Sequence, residues 1–307
     1  MGGKNMNTNE KYDFVKNSLQ KKYSFFAGIL TTCEEMLDAT WKNELVSDLE
    51  RMFGAVEGQE FAKALDGYVE FSIDAAKNQQ YYLKHDHYKS SNFSEVKKEL
   101  YDNEEHMLGN YLPGMLVSHY IWPHHYKMGK RYRNEIMPWV KKKNPSLFVE
   151  VGTGSAMYSK LTMLALETIN GIGYDISPHS VTFGKRVAEA FGFSNRFKFV
   201  QQDAFQNPPK DKADFVVSQE VLEHLEDPLT FCKNLCNILK DDGCAYITAA
   251  ITAAHSDHIY LFKSPKELSS MLEEAGFRSV LEIEEASIDT RVPEKTPRIA
   301  GHLLVKA

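Results

Sequence analysis

The spacing of apolar residues divides the chain into two parts. From residue 11 onward, apolar residues recur every three or four positions, as Leu45, Leu49 and Met52 do, which predicts amphipathic helices. Val, Ile and Thr are scarce in this region, and no alternating strand pattern occurs. We therefore expect an all-helical domain over residues 11–144. Residues 1–10 contain little that could be buried and are expected to form a disordered start.

After Pro145 the pattern changes to short apolar runs that alternate with helical segments. Seven runs predict strands, from LFVEV at residue 147 to IAGHLLVKA at the end of the chain. Strands that alternate with helices predict parallel strands joined by crossover helices, in an open α/β sheet covered on both faces. No helix separates the last two strands, so we expect them to pair as an antiparallel hairpin at one edge. This sheet domain is expected over residues 145–307.

Composition narrows the class of protein. The 307 residues carry a net charge of −6 with a pI near 6.0, which argues against a protein that binds nucleic acid through its phosphates. No apolar run reaches the roughly 18 residues of a membrane span, and the first residues lack the apolar core of a signal peptide. The four cysteines are too few and wrongly spaced for a zinc site or a disulfide framework. A reducing, cytoplasmic location is expected.

A glycine turn follows the first predicted strand. Glu150 precedes Gly152 and Gly154, and a helix follows; at the carboxyl end of a strand, glycines let the backbone approach a ligand closely. A dinucleotide fingerprint needs a third glycine where this chain has Met157, so a nicotinamide-dependent oxidoreductase is the weaker alternative. Glu150 would repel a pyrophosphate but attract the cationic groups of S-adenosylmethionine. We therefore expect Glu150 to point at the turn and its ligand.

The next three strands also end in groups that suit a nucleoside cofactor. Asp175 ends the second strand, where a carboxylate can accept hydrogen bonds from both ribose hydroxyls. After the third strand, Asp203 offers an acceptor for an adenine amino group, and Phe205 offers an apolar wall. Gln219 follows the fourth strand, under the place expected for the methionine moiety. A helix cap at Asp175 and an ordinary turn at Asp203 are the structural alternatives.

These motifs occur in the order found in the class I S-adenosylmethionine-dependent methyltransferases, which residues 147–307 resemble. The resemblance implies a Rossmann-like, seven-stranded, mostly parallel sheet with S-adenosylmethionine as cofactor. The expected cofactor site comprises the acidic residue, the glycine turn and the three following strand ends: Glu150, Gly152, Thr153, Gly154, Asp175, Ile176, Asp203, Ala204, Phe205, Gln219 and Glu220. The chain departs from the family pattern at Ala156, where a third glycine is common.

The reaction itself limits the candidate catalytic groups. Methyl transfer from a sulfonium requires alignment and desolvation, and a hydroxyl acceptor also requires a base. Candidate bases occur near the end of the helical part, at His124 and Tyr126, and in the loop after the fifth strand, at His255 and His258. A purely structural histidine is the alternative at each position. The loop after the fifth strand contains residue types that can bind a metal ion, but no second observation indicates a metal site there. No metal site is therefore expected.

The acceptor is the least constrained part of the function. We expect O-methylation of a small molecule, a natural-product precursor or a peptide carboxylate; N-methylation of a small molecule or peptide, and a non-catalytic binding module, are alternatives. Residues 127–143 contain seven basic residues and one acidic residue. This positive charge could attract an anionic acceptor, or it could belong to a solvated helix face. The front helices could form a homodimer surface. Neither a membrane nor a nucleic acid is expected as partner.

Overall fold

The first half of the chain is helical, as predicted. In this computed structural model, residues 6–210, 212–288 and 290–307 are described. The helices are α1 (Thr8–Lys22), α2 (Ala27–Met36), α3 (Trp41–Phe53), α4 (Gln59–His85), α5 (Phe93–Val96), α6 (Glu104–His106), α7 (Leu112–Ile121), α8 (Pro123–Arg131) and α9 (Met137–Lys142). Turns of π-helix continue α5, α6 and α8, over Lys97–Tyr101, Met107–Tyr111 and Tyr132–Ile136 respectively.

The chain start differs from the expectation. Asn7 caps α1, since its side chain accepts a hydrogen bond from the Glu10 backbone N–H and the Glu10 carboxylate accepts one from the Asn7 N–H. Such a reciprocal capping box satisfies two backbone donors that a helix start otherwise leaves unpaired. The prediction of a disordered start was therefore wrong for residues 7–10, and residues 1–5 lie outside the described part of the chain.

The second half forms one seven-stranded sheet. Its strands are β1 (Leu147–Val151), β2 (Asn170–Asp175), β3 (Phe197–Gln201), β4 (Ala213–Ser218), β5 (Leu239–Ile251), β6 (Phe277–Ala286) and β7 (Arg298–Lys306). The helices between them are α10 (Met157–Ala165), α11 (Pro178–Phe191), α12 (Pro228–Ile238) and α13 (Pro265–Glu274). The strand order is β3-β2-β1-β4-β5-β7-β6.

Strand directions fix the position of a ligand cleft. Strands β1 to β5 are parallel, and β7 runs antiparallel to both β5 and β6. The predicted antiparallel pairing of the last two strands is confirmed, with β7 inserted between β5 and the edge strand β6. The strand order reverses between β1 and β4, and in open α/β sheets ligands bind outside the carboxyl ends of the strands at such a reversal.

The helical part packs onto the sheet part through a shared core. One continuous cluster of buried side chains includes Trp41 from α3, Tyr132 and Phe148. An ion pair reinforces this contact, since the Nζ of the buried Lys160 on α10 lies 2.7 Å from the carboxylate of the half-buried Asp48 on α3. The front helices are thereby fixed against the sheet. Within the described residues, no helix combines the length and apolar character needed to cross a membrane.

Helix α4 also reaches the loop after β5. The side-chain amide of Gln79 donates to the carbonyl of Thr252 at 3.0 Å, and its oxygen accepts from the Ala254 N–H at 2.8 Å. Gln79 is buried, so both bonds satisfy groups that water cannot reach. This contact places α4 over the carboxyl end of the sheet.

The packing of α4 against α7 depends on glycine. A Cβ built on Gly114 of α7 would lie 2.5 Å from the backbone oxygen of Gly67 on α4 and 2.8 Å from the Phe71 Cβ. Backbone atoms cannot move aside without displacing their helix. The close approach of the two helices therefore requires glycine at position 114.

We expect Gly114→Ala to destabilise the protein by about 1–3 kcal/mol, the usual cost of overpacking a core. Urea denaturation followed by circular dichroism would measure the change. Gly109→Ala is the matched control, because no atom lies within 4 Å of a Cβ built there. Equal midpoints for the two variants would contradict the inferred close packing.

Candidate active site

A cavity of about 1300 Å³ lies at the carboxyl ends of the central strands. One wall is formed by the glycine turn after β1 and by the segments that follow β2, β3 and β4. The opposite wall comes from α4, α7 and the start of α8, and the loop after β5 closes one side. The sheet part and the helical part therefore line the same cavity.

The glycine turn brings bare backbone to this cavity. Gly152 and Gly154 have φ values of 79° and 46°, in the left-handed region that favours glycine. A Cβ on Gly152 would clash with the Val221 side chain. Ala156, at the position where the sequence departs from the family pattern, also has a positive φ of 57°. The turn thus keeps its shape without the third glycine.

Asp175 lies on the cavity wall and also organises the turn. Its carboxylate accepts hydrogen bonds from the Gly154 N–H at 3.0 Å and from the Ser177 N–H at 2.9 Å. The N-cap of α11 is Ser177, so the alternative that Asp175 itself caps the helix does not hold. Burial raises the pKa of Asp175 above its usual value, although these backbone hydrogen bonds oppose the shift. The side chain joins the glycine turn to the end of β2.

The segment after β3 forms an adjoining part of the wall. Asp203, Ala204 and Phe205 all line the cavity. One oxygen of Asp203 accepts from the N–H groups of Phe205 and Gln206, each at 3.0 Å, so Asp203 shapes a turn in addition to facing the cavity. The Phe205 ring stacks on Phe231 with ring centroids 6.5 Å apart, and this contact fixes the orientation of the ring.

Glu150 does not lie where the sequence predicted. Glu150 is 1% exposed and is not part of the cavity wall; its carboxylate accepts a hydrogen bond from the Ser159 hydroxyl on α10. Burial raises its pKa to about 8. Successive side chains of a strand point to opposite faces, and Glu150 points toward the helix. The structure therefore does not place Glu150 on the cavity wall, and its expected role in binding the cofactor stays a prediction.

Glu220 places a further carboxylate on the cavity wall. It has a φ of 48°, and one of its oxygens accepts from the Gln219 side-chain amide at 2.6 Å. Burial raises the pKa of Glu220 to about 7. A carboxylate in such a partly enclosed position would be stabilised by a ligand cation.

These features fit S-adenosylmethionine. The glycine turn offers backbone without side chains, Asp175 offers an acceptor for hydroxyl groups, and Glu220 offers a negative charge. Thr153, Ile176, Ala204 and Gln219 from the predicted set also lie on the wall. The structure therefore brings together every predicted cofactor residue except Glu150.

The comparisons with known proteins agree with this geometry. A family model described as a methyltransferase domain matches residues 143–283, a span that contains the glycine turn and all four strand ends. This part of the chain, somewhat less than half of it, is a methyltransferase domain and is similar to the class I S-adenosylmethionine-dependent methyltransferases. Their methyl donor, S-adenosylmethionine, is the cofactor that the cavity wall fits.

Individual relatives of this methyltransferase domain are distant. The ubiquinone biosynthesis O-methyltransferase of Actinobacillus pleuropneumoniae serotype 5b (strain L20) is 27% identical over 120 residues, which cover 36% of this chain and half of that relative. The solved structure of the mitomycin 7-O-methyltransferase MmcR has a TM-score of 0.50 with 13% identity, and covers 77% of this chain and 68% of its own. The N-methyltransferase NodS from Bradyrhizobium japonicum WM9, solved with S-adenosylhomocysteine, has a TM-score of 0.48 with 14% identity, over 65% and 95% of the two chains. These structural likenesses concern the fold.

Three of the four predicted catalytic residues line the methyltransferase cavity. His124, His255 and His258 are on the wall. Tyr126 is not; it is 4% exposed, and its hydroxyl has no hydrogen-bond partner among the described residues. Helix α8 turns its first histidines toward the cavity and Tyr126 away from it, so the structure does not bring Tyr126 to the predicted site, and its catalytic role stays a prediction.

The basic run over residues 127–143 does not face the cavity. None of its basic residues is part of the described cavity wall. Lys130 pairs with Asp38, Arg131 with Glu135 and Arg133 with Glu44. The Arg131 pair lies within its own helical segment, whereas the Lys130 and Arg133 pairs join this segment to the α2–α3 loop and to α3. The basic run therefore gives the cavity no positive charge for an anionic acceptor.

The sequence did not indicate which residues of the helical part form the cavity. Phe71, Tyr101, Tyr111, Met115 and Trp122 all belong to its wall. Each lies in a helical apolar pattern that serves core packing equally well. No local signal separates the two roles, because the difference depends on where the helices pack against the sheet.

A network of buried polar groups centres on Asp257, which is fully buried. Its carboxylate accepts from the hydroxyls of Tyr101 at 3.0 Å and Tyr111 at 2.5 Å, and lies 3.0 Å from His255 Nδ1. Burial raises the pKa of Asp257, but the charge of His224 and the contact with His255 outweigh it, and the pKa lies well below its usual value. Asp257 is thus an ionised carboxylate.

His255 lines the cavity, and Asp257 orients its ring. In the neutral imidazole, Nδ1 donates to Asp257 and Nε2 carries the lone pair. His255 Nε2 is itself buried and has no hydrogen-bond partner among the described residues. The carboxylate and imidazole together form a pair of the kind that general bases use.

Other histidines of the cavity are neutral. Burial lowers the pKa of both His119 and His124 to about 3, and lowers that of His125 well below its usual value. Protonation would place a charge in a desolvated wall, which disfavours the folded state. These three histidines make this wall aromatic and uncharged at neutral pH.

We expect Asp175→Asn to weaken S-adenosylhomocysteine binding by about 1–3 kcal/mol, because an amide cannot accept hydrogen bonds at both positions that the carboxylate serves. Calorimetric titration of the two purified proteins would measure this loss. Asp214→Asn is the control. Asp214 binds Ser146 and Lys240 near the amino ends of the strands, at the end of the sheet opposite to the cavity. Unchanged affinity in Asp175→Asn would contradict the assigned position of the cofactor.

A second prediction concerns stability and pH. The folded-state pKa of His124 is about 3, below its usual value of 6.5, so the unfolded chain takes up the proton first and stability falls as pH drops below about 6.5. Between pH 7.5 and 5.5, His124 accounts for about 1.4 kcal/mol of this loss. In His124→Gln the pH dependence of urea unfolding is expected to shrink by that amount. The control variant His85→Gln, at an exposed position, should keep the wild-type pH dependence. If the free energy of unfolding changes equally with pH in the wild type and both variants, the prediction is refuted.

Proposed function

We propose that the protein transfers the methyl group of S-adenosylmethionine to a hydroxyl group of a small molecule bound between the sheet edge and helices α4 and α7. The observation that carries this proposal is the His255–Asp257 pair, in which a buried carboxylate orients an imidazole that lines the same cavity as the cofactor residues. A hydroxyl is a poor nucleophile until a base removes its proton. The pair supplies that base.

The size and lining of the cavity support a small apolar acceptor. Its volume of about 1300 Å³ exceeds the roughly 300–1000 Å³ of an ordinary ligand pocket, so cofactor and acceptor fit together. Phe71, Tyr111, Met115 and Trp122 line the part formed by the helices. Such a wall favours an aromatic or otherwise apolar hydroxy compound over a peptide carboxylate. The ubiquinone biosynthesis O-methyltransferase named above, which is 27% identical over 120 residues, agrees with this class of reaction.

The protein's own groups perform the following steps. Its helices exclude water and hold the acceptor in line with the donor, which removes most of the entropic barrier. His255 Nε2 accepts the hydroxyl proton, and the Asp257 carboxylate stabilises the resulting imidazolium. Glu220 lies on the same cavity wall, and its carboxylate would attract the positive charge of the donor. The bound cofactor supplies the electrophilic methyl group.

The proposal predicts methyl transfer to hydroxyl acceptors that depends on His255. The purified protein would be incubated with methyl-tritiated S-adenosylmethionine and a panel of phenols, alcohols, amines and carboxylic acids. We expect labelled ethers, and a decrease in kcat of about 10²–10⁴ in His255→Asn, the usual contribution of a general base. Asn was chosen because its amide can still donate to Asp257.

Two controls make this test decisive. Binding of S-adenosylhomocysteine to His255→Asn should match the wild type, and the surface variant His85→Asn should keep the wild-type rate. Labelling of amines alone would replace the proposal with N-methylation. A full rate of ether formation in His255→Asn would remove His255 as the base.

A further inference from the structure

A second cluster of ligand-type side chains adjoins the His255–Asp257 pair. Glu223, His224 and His258 each offer one oxygen or nitrogen atom, and the three atoms lie within 4.8 Å of one another. Glu223 and His224 belong to the short turn after β4, whereas His258 belongs to the loop after β5. The sheet brings them together because β4 and β5 are neighbouring parallel strands.

Glu223 has an unsatisfied carboxylate oxygen directed into the protein. The residue is fully buried; its Oε1 accepts from the Ala250 N–H at 3.2 Å, while its buried Oε2 has no hydrogen-bond partner among the described residues. A buried polar oxygen without a partner is costly. A bound cation would remove that cost.

The two histidines are oriented as metal ligands usually are. The Nδ1 of His258 lies 2.7 Å from the carbonyl oxygen of Ala253, which requires a proton on Nδ1 and leaves the lone pair on Nε2. The Nδ1 of His224 lies 3.1 Å from the Asp257 carbonyl oxygen and 3.4 Å from its carboxylate. Metal-bound histidines typically donate their second nitrogen to a carbonyl or carboxylate in this way.

We propose that Glu223, His224 and His258 bind one divalent transition-metal ion at the edge of the cavity. Two imidazoles and one carboxylate favour first-row ions such as Mn²⁺, Co²⁺ or Zn²⁺ over Mg²⁺ and Ca²⁺, which prefer oxygen ligands. His224 and His258 both line the cavity, so the remaining coordination positions face the acceptor space. The sequence analysis expected no metal site, and only the fold brings His258 next to Glu223 and His224.

A metal at this position would also bind the acceptor. A hydroxyl coordinated to a divalent ion loses its proton at lower pH, which would assist His255 Nε2 in accepting it. This role of the ion rests on the proposed hydroxyl methylation. Binding of the ion does not, and it is measured without donor or acceptor.

The test is calorimetric titration of protein freed of metal by EDTA and dialysis, with MnCl₂, CoCl₂ and MgCl₂ in turn. We expect one Mn²⁺ or Co²⁺ per chain, with Mg²⁺ bound at least ten times more weakly. Glu223→Gln and His258→Gln should each lose at least tenfold in Mn²⁺ affinity. The double variant His85→Gln/His87→Gln, which removes two exposed neighbouring histidines, should bind as the wild type does.

A measurement on the wild type alone covers the case in which a buried variant does not fold. Co²⁺ bound by two imidazoles and a carboxylate gives visible absorption bands absent from aqueous Co²⁺, and these bands should saturate at one equivalent. Folded wild-type protein that binds no Mn²⁺ or Co²⁺ would overturn the proposal. Wild-type affinity in folded Glu223→Gln and His258→Gln would overturn it as well, and either result would leave the methyl-transfer proposal standing.

Discussion

The buried carboxylate of Asp257 is the interaction on which the functional half of the structure depends. An ionised group without water is stable only when several donors surround it. Those donors are Tyr101 and Tyr111 from the helical part and His255 from the same loop. The requirement to satisfy one charge therefore fixes the helical segments over the carboxyl end of the sheet, and the cavity is the space that remains between them.

The same constraint gives the cavity two chemically different sides. The sheet side is built from strand ends and presents backbone together with the carboxylates of Asp175 and Glu220. The helical side is aromatic, and burial keeps His124 neutral there. The polar sheet side suits a donor with a positively charged sulfonium group. The uncharged aromatic side suits an apolar acceptor.

The position of Glu150 has a simple physical cause. Sequence reasoning assumed that the acidic residue before the glycines points along the strand toward the turn. A strand side chain instead projects from one face of the sheet, and on that face Ser159 of α10 satisfies the carboxylate. Glu220 takes the position on the wall through a positive φ of 48°, a backbone conformation that nothing in the local sequence specifies.

The sequence by itself determined the order of strands and helices, the glycine turn and most of the cofactor residues. These features are local: a strand end, a tight turn and the next helix start are fixed by residues close together in the chain, such as Gly152, Gly154 and Ser177. Only the tertiary structure decided which of the candidate bases face the cavity, because Tyr126 and His124 occupy the same short helix and differ in the face they present. Contacts between segments more than a hundred residues apart, such as Tyr101 with Asp257, depend on how whole elements pack. Packing of that kind is set by the sum of many weak apolar contacts, which no short motif records.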